Sequence, residues 1–471
     1  MQKAVTFWNN INITESAFTI ILAVGIVAGW LMSWLASPAN VLASAVVLAA
    51  PLMVLWRHPV RQSRPELWFA LMATVAHLGA ALYLLPLVLQ PYISTGRSDI
   101  PGIIGGGKSL AALLINDSLG AARLFAVPVP TAIYWVSCLF SLLAGGSENA
   151  VWILFAWFSA LGAFYFLKAF KRLLPDQSLV WYAAVVFFFP SLVLWSSLPS
   201  KDAITFWGIG LLTFGVSTYC KERSWAGLLK IAVAEAAIFS VRRYFAVFYC
   251  LPLIVISMFD LYALWKDKNY RHLLSSLVFL FLHVAWFGLL VANSFFLPLS
   301  LAADYQATAS QMPGVVSESD IRPQYSLSDM LPSSSSDLLP LVVKWLSFAA
   351  ERVWYVFTVL FRPLPWEAHN VFAMFAALEN VVLLLLSLLV FVKMQVVLSR
   401  VFREPFLLFV VAFITVYVSA FSLQVINLGT MSRMKAPILP MLFFFIVLAA
   451  GQFQSLSDVV RMRIRMPRDI N

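Results

Sequence analysis

The sequence predicts an all-α protein built as a polytopic transmembrane helix bundle, a single integral membrane domain over 1–471 with about twelve spans, roughly 10–14 at the limits. Three observations predict it. The 471 residues are 61% hydrophobic and only 11% charged, whereas soluble domains are roughly 45–50% apolar and about 25% charged. Apolar runs close to bilayer length recur along most of the chain. The Lys and Arg residues fall mostly in the short connections between those runs. Such a chain can bury its backbone polar groups in lipid only by forming helices.

Read in order, the runs are 18–35, 39–56, 67–90, 150–167, 179–197, 203–220, 226–241, 244–264, 273–297, 371–392, 406–423 and 437–451. The first has no small-residue cleavage site after it and reads as a retained anchor. Pro190 and Pro252 should kink their helices. The run at 226–241 is the weakest, because it is short and contains Lys230 and Glu235. Two further stretches, 125–144 and 341–361, carry prolines or charges and read as interfacial or re-entrant helices on the outer side. With those two excluded, both termini are cytoplasmic and most cations lie inside, including Lys168, Lys171, Arg172, Lys266, Arg400 and Arg403. Two large outer segments remain, 91–149 with amphipathic or re-entrant helices and 298–369 with an interfacial helix.

The charge of +10 would suggest nucleic acid in a soluble protein. Here the charges sit in loops and report topology, so no nucleic-acid partner is expected and the first partner is membrane lipid. Cys138, Cys220 and Cys250 have no ligand spacing and read as small apolar residues. His58, His77, His272, His283 and His369 are likewise scattered, so the sequence marks no metal site. Gly102-Ile-Ile-Gly-Gly-Gly-Lys108-Ser109 fits the P-loop pattern but lacks the preceding strand that the motif needs. It reads instead as a flexible hinge, or as a helix opening whose free amides could cradle a lipid phosphate.

Polar residues near a membrane are costly, and on this topology they collect on the outer face. The outer cations are Arg97, Lys108, Arg123, Lys201, Arg242, Arg243, Arg322, Lys344, Arg352, Arg362, Arg433 and Lys435. Lys201, Arg242, Arg243, Arg362, Arg433 and Lys435 form the candidate phosphate or pyrophosphate site, since Arg supplies paired hydrogen bonds and Lys a point charge. The plain alternative is contact with anionic lipid and local salt bridges. Asp99, just after the third run, is the candidate base for a sugar hydroxyl. Arg97, Lys108, Asp202, Glu351, His369 and Glu379 are accessory candidates; Asp202 is also placed to cap its helix or pair with Lys201.

These features resemble the GT-C superfamily of polytopic glycosyltransferases. Asp99 followed by Lys108–Arg123 resembles that family's acidic first outer loop, and Lys201, Arg242-Arg243, Arg362 and Arg433 resemble its carrier-phosphate residues. The Ser-Lys201-Asp202, Arg243-Tyr, Arg362-Pro-Leu-Pro-Trp-Glu and Asn427-Leu-Gly-Thr…Arg433 stretches also look like membrane proteins of bacterial exopolysaccharide and O-antigen clusters. The resemblance implies a multi-pass protein of the bacterial inner membrane. It implies transfer of a sugar or oligosaccharide from an undecaprenyl (pyro)phosphate donor to a glycan or lipid acceptor on the periplasmic side. Asp99 lacks the second carboxylate of many members, which leaves a divalent metal open. The alternatives are a polysaccharide polymerase or ligase and, in another class, a lipid-linked glycan flippase or transporter.

Overall fold

The computed structural model describes residues 77–78, 100–116, 132–175, 177, 179–242, 245–266, 273–296, 353–368, 371–422 and 428–451. Among these residues the protein is helical with no strand. The helices are α1 (Ile100–Asn116), α2 (Ala132–Leu143), α3 (Glu148–Leu173), α4 (Leu179–Phe188), α5 (Pro190–Ser196), α6 (Lys201–Glu222), α7 (Trp225–Val241), α8 (Phe245–Lys266), α9 (Leu273–Phe296), α10 (353–361), α11 (Val371–Val392), α12 (Met394–Val401), α13 (Pro405–Ser422), α14 (Leu428–Lys435) and α15 (439–451). A one-turn helix, Ala436–Ile438, joins α14 to α15.

Among the described residues five helical stretches are long and apolar enough to cross a membrane: Glu148–Leu173, Lys201–Glu222, Phe248–Lys266, Ala373–Val392 and Ser432–Gly451. A sixth candidate is Met394–Val401 with Pro405–Phe421, bent by 112°. These coincide with the runs expected at 150–167, 203–220, 244–264, 371–392, 437–451 and 406–423. The runs at 18–35 and 39–56, and nearly all of 67–90, lie outside the described residues. The run at 179–197 is broken rather than kinked: Phe189 is extended (φ −68°, ψ 115°) and Pro190 opens a separate helix. That follows from the bias of a pre-proline residue away from helical geometry. At 17 and 12 residues, α7 and α2 are short, about 26 and 18 Å.

Local sequence explains the helix ends. Gly145 and Gly146 take left-handed φ of 58° and 80° and turn the chain out of α2. Ser147 then caps α3, accepting from the Ala150 amide through its hydroxyl (3.4 Å). Glu148 in its first turn and Lys171 and Arg172 in its last complement the helix dipole. In α6 the cap is Ser200, whose Oγ accepts from the Asp202 amide (3.2 Å) and donates to Asp202 Oδ2 (3.3 Å). Asp202 therefore sits in the first turn, buried, rather than at the cap itself.

The chain divides into two compact units. The first comprises Met1–Lys168, Ala183–Thr213 and Ala236–Val241; the second comprises Ala169–Tyr182, Phe214–Glu235 and Arg242–Asn471. In the first, α1 packs on α2 and both pack on α3 around Ile103, Ile104, Phe140 and Phe155. The glycine run lies inside α1, so it is neither a hinge nor a cradle. A Cβ on Gly106 would meet the Tyr134 ring at 2.7 Å, and one on Gly107 would meet the Ser137 backbone at 2.8 Å. Gly162 and Gly210 make a second close crossing, between α3 and α6, where a Cβ on Gly162 would fall 2.8 Å from Trp207 Cα. Small residues of this kind let membrane helices approach backbone to backbone. In the second unit α8 packs on α9 and α13. Its core is aromatic: Phe170 stacks on Tyr182 (4.1 Å), both meet Phe444, and Phe245, Phe248, Tyr417 and Phe421 form a second cluster.

Candidate functional site

One end of the second unit gathers four chain segments that are far apart in sequence. Arg242 stands just before α8 and is buried. Its Nη1 lies 3.4 Å from Met434 Sδ, and its guanidinium sits 5.3 Å from the Phe245 ring centroid. Met434 is fixed from the other side, because Tyr417 near the end of α13 donates to its carbonyl (2.6 Å). Arg433 and Lys435 flank Met434 on α14, Arg433 half-buried and Lys435 only 1% exposed.

Lys435 points inward to α11, where its Nζ donates to Asn380 Oδ1. Asn380, fully buried, in turn donates through Nδ2 to the Pro363 carbonyl (2.9 Å). Glu379 is buried beside it and interacts electrostatically with the Lys435 ammonium. A buried ammonium is tolerable only with such a set of partners. The 362–368 loop is tied into the same cluster. Arg362 donates from Nε to Glu367 Oε1 (2.7 Å) and also through Nη2. The Leu364 amide donates to Glu367 Oε2 (2.7 Å), and Arg362 also packs 5.5 Å from the Trp354 ring centroid. The Arg362 hydrogen bond, helped by the Leu364 amide, holds the Glu367 carboxyl below its ordinary range.

The expected site residues therefore divide. Arg242, Arg362, Glu379, Arg433 and Lys435 come together in the second unit. Lys201 and Asp202 belong to the first unit, as does Lys108, whose Nζ is paired with Glu148 (2.6 Å). Arg97, Asp99, Arg243, Glu351 and His369 lie outside the described residues. Within the cluster the roles differ from the sequence expectation. Arg362 and Lys435 hold Glu367 and Asn380, which makes them anchors of the loop and of α11. Arg242 meets Met434 across the cluster, and Arg433 is the residue before Met434 on α14. Asn380, Tyr417 and Glu367 were missed as site residues. The signal for the first was the Glu379-Asn380 pair within an otherwise apolar run.

The opposite end of the second unit is a different kind of polar layer. Arg172 donates to Thr218 Oγ1 (2.9 Å) and pairs with Glu222. Arg223 donates to Asp260 Oδ1 from Nε (3.2 Å) and Nη2 (2.5 Å). Ser276 donates to Asp260 Oδ2 (2.6 Å) and meets Tyr219 OH (3.0 Å). Here each carboxylate has its own cation, so this layer is a closed structural network. The first unit has a buried polar knot as well. His77 Nδ1 lies 2.9 Å from both Ser159 Oγ and Ser197 Oγ, and Ser159 donates to Ser196 Oγ (2.7 Å). Among the described residues no group of three or more His, Cys, Asp or Glu is arranged to hold a metal ion.

The fold and this chemistry define a class: an all-helical protein with several helices able to span a membrane and a basic cluster at one end of a helical unit. No family model, no curated protein and no solved structure matches the chain.

Proposed function

We propose that the protein is a membrane glycosyltransferase of GT-C-like architecture with about twelve spans. It would move a sugar or oligosaccharide from an undecaprenyl (pyro)phosphate donor to a glycan or lipid acceptor at the periplasmic face of a bacterial inner membrane. The observation that carries this reading is that Arg242 meets Met434, whose chain neighbours are Arg433 and Lys435, at the helix ends of the second unit. Cations fixed in place before the ligand arrives stabilise a leaving phosphate where its charge develops. In this reading Arg242 and Arg433 contact the phosphate, with Arg243 as a further donor. Lys435 adds long-range positive potential from its seat on Asn380, and Asp99 is the base for the acceptor hydroxyl.

The test is transfer from a radiolabelled undecaprenyl-linked donor by the purified full-length protein in lipid nanodiscs. Arg242→Ala and Arg433→Ala should each lower kcat/KM by about 10²-fold or more, as the loss of one transition-state donor does. Asp99→Asn should abolish product while leaving donor binding intact. Unchanged product in all three variants removes the reading.

Transport is the second reading, and one observation favours it: the break at Pro190 between α4 and α5, since transporters build sites at interrupted helices. Single-cysteine labelling from both faces separates the two, because alternating access exposes the same buried position to each side in turn.

A further inference from the structure

Away from the basic cluster, the second unit holds a carboxylate and an imidazole in direct contact inside its helices. Glu235 lies ten residues into α7 and His283 ten residues into α9, about 15 Å from the start of each helix. Glu235 Oε1 is 2.9 Å from His283 Nε2, and their side chains are 17% and 6% exposed. The residues around them that face outward are apolar: Val233, Phe281, Leu282 and Val284.

Hydrogen-bond geometry fixes how many protons the pair carries. His283 Nδ1 lies 2.7 Å from the Phe279 carbonyl, which can only accept, so Nδ1 carries a hydrogen and donates it. Nε2 and Glu235 Oε1 then require one proton between them. It resides either on nitrogen, giving an imidazolium–carboxylate pair, or on oxygen, giving a neutral imidazole and a carboxylic acid. Moving it between the two atoms breaks one N–H bond, forms one O–H bond and changes nothing else.

The other titratable groups facing the pair come from α8. Tyr249 donates its hydroxyl to the Glu235 carbonyl (3.3 Å), and the buried Cys250 thiol lies close enough to the Glu235 carboxyl to feel its charge. Lys230 on the same helix turns away, its ammonium 5.3 Å from the Phe214 ring centroid. No second cation is therefore described against the carboxylate. A tether between α7 and α9 alone would be served as well by a neutral amide side chain in place of the carboxylate, at a lower cost of burial.

We propose that Glu235 and His283 form a proton-binding site within the helical part of the protein, holding one exchangeable proton between carboxylate and imidazole. The site is independent of the glycosyl-transfer reading, and none of its residues touches the Lys435 cluster. The test uses the full-length chain in lipid nanodiscs, with ¹⁵N-labelled histidine and infrared detection of protonated carboxyl groups. Single substitutions assign the five histidines. The wild type should show either an imidazolium signal at His283 or a protonated-carboxyl band, and that signal should move on transfer to D₂O. Glu235→Gln should remove it while preserving the helix contact, because the new amide donates to the bare Nε2. His283→Gln provides the same reading from the carboxyl side should the first variant fold poorly. The proposal is overturned if neither signal is present, if the signal survives both substitutions, or if it does not respond to D₂O.

Discussion

The α3–α6 crossing makes a prediction whose sign, and not only its size, tests the structure. Replacing glycine by alanine inside an exposed helix ordinarily stabilises it by about 0.4–1 kcal/mol, through helix propensity and a less mobile unfolded chain. At Gly210 the new Cβ would sit 3.0 Å from both Cα and C of Gly162, and closer still to the Gly162 carbonyl oxygen. Carbon atoms prefer about 3.5–4.0 Å. The atoms met are backbone, which cannot rotate away, so the two helices must separate by roughly half to one ångström. Overpacking of this kind costs about 1–3 kcal/mol. The steric term wins, and Gly210→Ala should destabilise the protein by about 1–2 kcal/mol net. Gly105→Ala and Gly288→Ala are the matched controls: both are helical glycines with nothing within 4 Å of an added Cβ. Equilibrium unfolding in mixed SDS micelles reads all three on one scale. If Gly210→Ala stabilises as the controls do, α3 and α6 do not touch at this point and the crossing is wrong.

Other expectations follow from the polar clusters. Lys435→Met removes the donor to the buried Asn380 Oδ1 and the positive charge near Glu379, and should cost about 3–5 kcal/mol in the same titration, with part returned by adding Glu379→Gln. The lowered folded-state pKa of Glu367 means that its bond to Arg362 contributes fully above the unfolded value of about 4.3 and is lost as pH falls through the lower folded value. Melting temperatures of wild type and Glu367→Gln should therefore differ at neutral pH and converge only in acid; a gap that stays constant down to about pH 3 contradicts the pairing. Arg223 has a left-handed φ of 46°, which glycine adopts freely, so Arg223→Gly should lose only the Asp260 pairing. Asp260→Asn should cost more, about 1–3 kcal/mol, because it weakens the acceptor shared by Arg223 and Ser276.

The length and apolarity of a helix are written in consecutive residues, which is why eight of the expected runs reappear as helices near their predicted bounds, six of them as span candidates. The break before Pro190 was only half legible: proline forbids a regular helix, but whether it bends or severs depends on packing. The glycine run could not be read at all, because Gly106 and Gly107 are explained by Tyr134 and Ser137 on another helix. The site followed the same rule. Arg242, Arg362, Arg433 and Lys435 stood out as charges in an apolar chain. Arg362 could be matched to Glu367 five residues on, but nothing local showed that Lys435 holds Asn380 or that Arg242 meets Met434. Those two contacts join residues 55 and 192 positions apart.

The sharp turn between α12 and α13 works as a depth gauge. α12, with Lys393 at its N-cap, carries Gln395, Ser399 and Arg400 beside the exposed Met394 and Leu398 and two buried valines, an amphipathic pattern suited to a lipid surface. From there α13 climbs twelve residues, about 18 Å, before Tyr417 grips the Met434 carbonyl. Met434 is the third residue of the Ser432–Gly451 span candidate, so in a bilayer the Tyr417–Met434 bond would tie α13 to the neighbouring span near one edge of the apolar layer.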